Sequence, residues 1–200
     1  MRIGRIDMAE KNELEFWTSL MTAEMLSAIA VVTFALLKPE SLGNLGQFNA
    51  IILGVLAFAA IPYFFLTRLH PDPDVYKKTP RELRFKLYPQ YMAIIGIATL
   101  LFQYLGSPVL VFLGVWLFVT YAAHYLVNFF VKASAHASIL TGLVTLYVTA
   151  FGPTAGVLYL LVPVSAYMRL KLQAHSIWQI IWGILIGLIS ALITTLVIPI

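Results

Sequence analysis

Long apolar runs, separated by short polar segments, dominate this chain. A membrane-spanning helix needs about 20 mostly apolar residues, and none of the runs alternates with the period of two that is typical of a membrane β-strand. The pattern predicts an all-α, polytopic membrane helical bundle with six to seven transmembrane helices. We expect residues 1–200 to form a single integral membrane domain, with residues 1–15 as a polar lead-in. The apolar runs lie at about 16–37, 49–68, 90–105, 108–131, 137–151, 154–168 and 177–198.

Three polar segments interrupt the runs: KKTPRELR at 77–84, KASAH at 132–136 and RLKLQAHSIWQ at 169–179. Two apolar runs precede the first segment, and two more separate each segment from the next. All three segments are therefore expected on the same side of the membrane as the N-terminus. The tight turns at Gly106-Ser107-Pro108 and Gly152-Pro153 are expected on the other side.

Composition and charge agree with a membrane location. The chain is 60% hydrophobic and 11% charged, whereas soluble domains are about a quarter charged. Lys38 alone among the 13 Lys and Arg residues falls on the far side, so the positive-inside rule predicts a multi-pass protein of the cell membrane with cytoplasmic polar segments and N-terminus. The net charge of +4 without a long basic stripe suits membrane lipids as partners and does not indicate nucleic acid.

The polar segments carry the residues of a phosphate site. Lys132, Ser134 and His136 stand at the start of a predicted helix, whose free N–H groups attract anions. Arg169 can bind phosphate through its guanidinium group. One histidine can attack phosphorus and another can protonate the leaving oxygen. No metal-ligand cluster, P-loop or dinucleotide motif is present in the sequence, and no cofactor or metal is predicted.

These residues resemble the motifs of the type 2 phosphatidic acid phosphatases, which read K-x6-RP, PSGH and SR-x5-H-x3-D. Lys77 and Arg84 have the K-x6-R spacing, with Phe85 in place of Pro; the second motif corresponds to residues 133–136, and the third to Arg169 and His175. The resemblance covers roughly residues 75–190, the phosphatase-like core. It implies that His175 is the nucleophile, that His136 is the general acid, and that Lys77, Arg84 and Arg169 bind the phosphate.

Gln179 stands where the family has the Asp that orients the nucleophilic histidine. A Gln carbonyl can accept the ring N–H but brings no charge. The resemblance implies a lipid phosphatase that hydrolyses a glycerolipid or isoprenoid phosphomonoester or diphosphate through a phosphohistidine. Two alternatives remain: a weak or inactive member that binds or transfers lipid phosphate, and a small membrane transporter. The chain does not predict an oligomeric state.

Two helical patterns accompany the site. Tyr121, His124 and Asn128 share one face that leads towards Lys132, and they either line a substrate cavity or form an interhelical stripe of hydrogen bonds. Gly183 and Gly187 form a G-x-x-x-G spacing, which predicts close helix packing.

Overall fold

The computed structural model describes residues 22–61, 64 and 81–199, and within these residues the chain is helical with no strand. The α-helices are α1 Ala23–Leu37, α2 Gln47–Val55, α3 Arg81–Tyr104, α4 Pro108–Val127, α5 Ala135–Phe151, α6 Leu161–Lys171 and α7 Ile177–Val197. A 3-10 helix, Pro39–Leu45, follows α1; a π-helical turn, Leu56–Ala60, extends α2; and a second 3-10 helix, Pro153–Leu160, precedes α6.

Three of the described helices, α3, α4 and α7, are long and apolar enough to cross a membrane. The apolar segments Met25–Leu37, Gln47–Ala60 and Ala135–Phe151 are shorter. The all-helical architecture and these three helices indicate a membrane protein and are compatible with the predicted bundle. The number of six to seven spans stays a prediction.

Helix α3 begins earlier than the sequence predicts. The predicted apolar run begins at residue 90, but the helix starts at Arg81 and runs through Pro89. Arg84, Leu87 and Tyr88 are buried at helical spacing, so packing of the first two turns favours the helix. Pro89 itself is exposed and removes only one backbone hydrogen bond, a cost that the packing offsets.

Short connections between helices lie together at one end of the bundle. A Cβ on Gly43 would lie 1.6 Å from the carbonyl oxygen of Gly106, so the first 3-10 helix touches the α3–α4 turn. The rings of Phe34 and Phe151 lie 5.2 Å apart, which brings the ends of α1 and α5 to the same place. As predicted from the number of runs, these connections lie at the end opposite the described polar segments.

Helices α5 and α7 approach closely through two glycines. A Cβ on Gly183 would lie 2.4 Å from the carbonyl oxygen of Ser134, and one on Gly187 would lie 2.1 Å from that of Ser138. The close packing predicted from the G-x-x-x-G spacing is therefore confirmed. It sets the start of α5 beside the start of α7, where the second and third polar segments meet.

Candidate phosphate site

Hydrogen bonds join the described parts of the three polar segments at one end of the bundle. Arg84 Nη1 on α3 donates to the carbonyl oxygen of Ala133 at 2.8 Å. The Ser134 N–H donates to the carbonyl oxygen of Gln179 at 2.9 Å. Arg169, in the last turn of α6, donates to Nε2 of His136. The structure thus brings together side chains that lie far apart along the sequence.

His175 is held in one tautomer by the start of α7. Ser176 caps this helix, and Gln179 completes a capping box with it. The Gln179 side-chain oxygen accepts from the Ser176 N–H at 3.2 Å and lies 3.0 Å from His175 Nδ1. Because the first bond requires an acceptor, this atom is the amide oxygen, and Nδ1 must carry the hydrogen. The lone pair of the neutral ring is then on Nε2.

His175 is neutral at physiological pH. Burial is the main cause that lowers its pKa, to about 4, from an ordinary value of 6.5. The bond to Gln179 acts in the opposite direction, and the positive charges of Arg84, Arg169 and Lys132 lower the pKa further. A neutral imidazole with a free Nε2 is the form that can act as a nucleophile.

Two buried guanidinium groups lie beside this histidine. Arg84 and Arg169 are each only 8% exposed, and Arg169 Nε has no hydrogen-bond partner among the described residues. The acidic side chains that the structure describes, Glu40 and Glu82, are both exposed, and neither forms an ion pair with these arginines. A buried charge without a counter-charge is costly, so this arrangement favours a bound anion.

His136 accepts a hydrogen bond in this arrangement. Its Nε2 faces the guanidinium of Arg169, which can only donate, so the hydrogen of the neutral ring is on Nδ1. The predicted role of His136 as general acid therefore requires Arg169 to turn away from it. An anion that binds Arg169 would release His136 in this way.

Ser134 lies in the α5–α7 interface and caps α5. Its side chain is fully buried, its hydroxyl accepts from the Ala137 N–H, and its own N–H donates to the carbonyl oxygen of Gln179. Its predicted contact with phosphate stays a prediction. Lys132 lies in the partly exposed linker that precedes Ser134, and its positive charge lowers the pKa of His175. Lys77 lies outside the described residues.

The residues of the α4 stripe make contacts between helices, as the hydrogen-bonding alternative predicts. His124 Nε2 lies 2.6 Å from the Ser138 hydroxyl, which itself donates to the Ala135 carbonyl oxygen. Asn128 Nδ2 donates to the carbonyl oxygen of Arg81 at 3.1 Å and fixes the start of α3. Tyr121 packs its ring against Tyr88 and Tyr91 of α3. These residues connect helices next to the site.

Sequence reasoning missed two residues of the site. The Tyr88 hydroxyl accepts from Arg84 Nη1 at 3.2 Å, and its ring packs against His124. Ser138 is the partner of His124. Tyr88 follows Arg84 by four residues, so the helical spacing would have identified it had α3 been predicted to start at Arg81.

No group of three or more His, Cys, Asp or Glu side chains that could hold a metal ion occurs in the part of the chain that the structure describes. The site instead offers guanidinium groups, a lysine and neutral imidazoles, a set that suits an oxyanion such as phosphate. Comparisons with protein-family models, with curated proteins and with solved structures found no match to this chain.

Proposed function

We propose that this protein is a membrane-embedded lipid phosphatase similar to the type 2 phosphatidic acid phosphatases. Its substrate is a phosphomonoester or diphosphate of a glycerolipid or isoprenoid. The observation that carries the proposal is the neutral His175, with its lone pair on Nε2, beside two buried arginines that lack a carboxylate partner among the described residues.

The chemistry follows from these positions. Nε2 of His175 attacks phosphorus, and the bond from phosphorus to the leaving oxygen breaks. Arg84, Arg169 and Lys132 stabilise the negative charge on the transferring group. As the phosphate draws Arg169 away, His136 takes up a proton from water and passes it to the leaving oxygen. A second water then attacks phosphorus, the bond from phosphorus to Nε2 breaks, and the proton of this water returns to His136. Gln179 accepts the hydrogen bond from Nδ1 throughout.

The membrane arrangement belongs to the same proposal. The polar segments and the N-terminus face the cytoplasm, because Lys38 alone among the 13 Lys and Arg residues falls on the far side. The protein then crosses the cell membrane several times, with the phosphate site at the cytoplasmic rim and the lipid tail among the helices.

The test is phosphate release by purified protein in detergent. Phosphatidic acid, phosphatidylglycerol phosphate and polyprenyl mono- and diphosphates are offered in parallel. We expect release from at least one lipid, loss of release in His175→Ala, and little change in Gln173→Ala, a control in the same loop that is exposed. Phosphate release by His175→Ala at the full wild-type rate would contradict the assignment of the nucleophile.

The second candidate is a protein that binds a lipid phosphate without hydrolysing it. The neutral Gln179 side chain and the hydrogen bond from Arg169 to His136 favour it, because neither arrangement supports charge on the two histidines. Vanadate or phosphate binding that is retained without phosphate release from any lipid, and weakened in Arg169→Gln, would support this candidate.

A further inference from the structure

A narrow apolar groove lies between α4 and α7, with a volume of about 150 Å³. Ile186 and Ser190 form its buried floor, and half-exposed side chains form its two walls. The lining residues are Val119, Ala123 and Val127 on α4 and Trp182, Leu185, Ile186, Ile189, Ser190 and Ile193 on α7.

The groove starts next to the phosphate site. Val127 immediately precedes Asn128, which is hydrogen-bonded to the start of α3. Trp182 lies about one helical turn after Gln179, which is bonded to His175. From Trp182 to Ile193 the groove follows α7 for roughly 16 Å at about 1.5 Å per residue. It therefore leads from the site towards the opposite end of the bundle.

The floor and one wall are shaped to accept a hydrocarbon. Ser190 turns its hydroxyl away, since it donates to the Gly187 carbonyl oxygen at 3.1 Å and lies 2.9 Å from the Thr120 hydroxyl. Its polar group is thereby satisfied within the protein. Ala123 leaves room in the α4 wall because its side chain is small.

We propose that this groove holds the hydrocarbon tail of the lipid whose phosphate occupies the site, and that its length selects long-chain substrates. This inference rests on the proposed function. Charge complementarity at the head of the groove determines the occupant: Arg84, Arg169 and Lys132 attract a phosphorylated lipid, whereas an uncharged lipid has no such anchor. A bulk lipid chain or a second copy of the protein would fill the groove independently of phosphate.

The first test compares chain lengths. Phosphatidic acids with hexanoyl and with palmitoyl chains are hydrolysed by the wild type, by Ala123→Leu and by the control Leu126→Phe, whose parent side chain is 62% exposed on the same helix. We expect Ala123→Leu to lose at least about tenfold in kcat/KM on the palmitoyl lipid, as when about two methylene groups leave an apolar site. The hexanoyl lipid and the control should change little. An equal loss on both lipids would overturn the proposal.

The second test does not depend on hydrolysis. Protein in vesicles is titrated with phosphatidic acid or phosphatidylcholine brominated in the chain, and Trp182 fluorescence is obtained from the difference between wild type and Trp182→Phe. We expect phosphatidic acid to quench Trp182 at a several-fold lower mole fraction, and Arg169→Gln to remove that preference. Equal quenching of Trp182 by both lipids would indicate that bulk lipid fills the groove. Absence of quenching by either lipid would indicate that a second copy of the protein covers it. Either result refutes the proposal.

The two proposals can fail separately. A wild type that releases no phosphate from any lipid refutes the hydrolytic function, and the quenching preference still decides whether the groove holds the tail of a bound lipid phosphate.

Discussion

Among the individual residues, Gln179 orients His175 through a single side-chain oxygen. The Gln179 amide oxygen accepts from both the Ser176 N–H and His175 Nδ1, and so it orients the ring while it completes the helix cap. Gln179 is neutral, whereas a carboxylate at this position would favour the charged imidazolium. Gln179 therefore orients the ring of His175, the proposed nucleophile, without adding a negative charge.

Replacing Gln179 by Asp should change the pH dependence of phosphate release. In the wild type the pKa of His175 is about 4, so protonation of Nε2 should reduce activity only below about pH 4. A carboxylate stabilises the imidazolium and raises this pKa, so the acid limb should move to higher pH in Gln179→Asp. The rate at pH 7 should also rise, because the imidazolium of the phosphohistidine is better stabilised.

The measurement is kcat/KM from pH 3.5 to 8, with Gln179→Glu as a control that has the charge but a longer side chain. An unchanged acid limb in an active Gln179→Asp variant would show that residue 179 does not control His175. The lowered pKa also affects stability. The unfolded chain takes up the proton near pH 6.5 and the folded protein only near pH 4, so stability should decline as the pH falls across that interval.

Tyr88 is predicted to be a positioning residue for Arg84. Its hydroxyl accepts from Arg84 Nη1 and its ring is held between α3 and α4. Tyr88→Phe removes this acceptor but leaves the bond from Arg84 to the Ala133 carbonyl oxygen. We expect kcat/KM to fall about fivefold, equivalent to about 1 kcal/mol, with a larger change in KM than in kcat.

Tyr125→Phe is the matched control for Tyr88→Phe. Tyr125 packs edge-on against Phe85 and Phe129, and this ring packing survives the loss of its hydroxyl. An unchanged kcat/KM in Tyr88→Phe, or equal losses in the two variants, would contradict a positioning role for the Tyr88 hydroxyl.

At the element scale, the contact between α5 and α7 positions the site. The glycine faces let the two backbones approach, and this approach makes the bond from the Ser134 N–H to the Gln179 carbonyl oxygen possible. This backbone bond joins the segment that carries His136 to the segment that carries His175. A larger side chain at the α5–α7 interface should therefore lower the stability of the protein and also shift the residues of the site.

Gly187→Ala is predicted to destabilise the protein. The new Cβ would lie 2.1 Å from the Ser138 carbonyl oxygen, which belongs to backbone and cannot rotate away. We expect a loss of roughly 1–3 kcal/mol, as is usual for overpacking, measured as a lower melting temperature in detergent. Gly96→Ala on α3 is the matched control.

A Cβ on Gly96 would meet only the Phe118 ring, at 3.6 Å, which is ordinary contact. Alanine is also a better helix former than glycine, so this variant should be neutral or slightly stabilising. A melting temperature that is unchanged in Gly187→Ala would contradict the close packing of α5 on α7.

Across the whole molecule, successive connections between helices lie at alternate ends of the bundle. The 3-10 helix Pro39–Leu45 and the α3–α4 turn meet at one end, while the contacts of Arg84, Ser134 and Arg169 gather at the other. The proposed sidedness places the first end outside the cell and the second end in the cytoplasm. A chain without cysteine allows this to be tested directly.

Single cysteines at Glu40 and Gln173, both exposed, should react from opposite sides of the membrane. In intact cells we expect an impermeant maleimide to label Glu40→Cys and not Gln173→Cys, and in inverted membrane vesicles the reverse. Labelling of both positions in denaturing detergent shows that each thiol is reactive. Labelling of both from the same side would refute the alternating arrangement.

Four features could be predicted from the sequence: the helical character, the alternation of the connections between two ends, the close approach at Gly183 and Gly187, and the set of basic and histidine side chains. These follow from local properties: the length of apolar runs, the spacing of small residues and the cost of charge in a bilayer. The start of α3 was missed because burial of Arg84 and Tyr88 outweighs the effect of Pro89, and burial depends on neighbouring helices.

The tertiary structure decided which of those side chains meet. Three features depend on how helices distant in sequence pack: the hydrogen bond from Arg169 to His136, the burial of Ser134 between α5 and α7, and the groove between α4 and α7. Spacing along one helix defines a face, but it does not state which other helix covers that face. That choice depends on side-chain shape across the interface, which no single segment of the sequence contains.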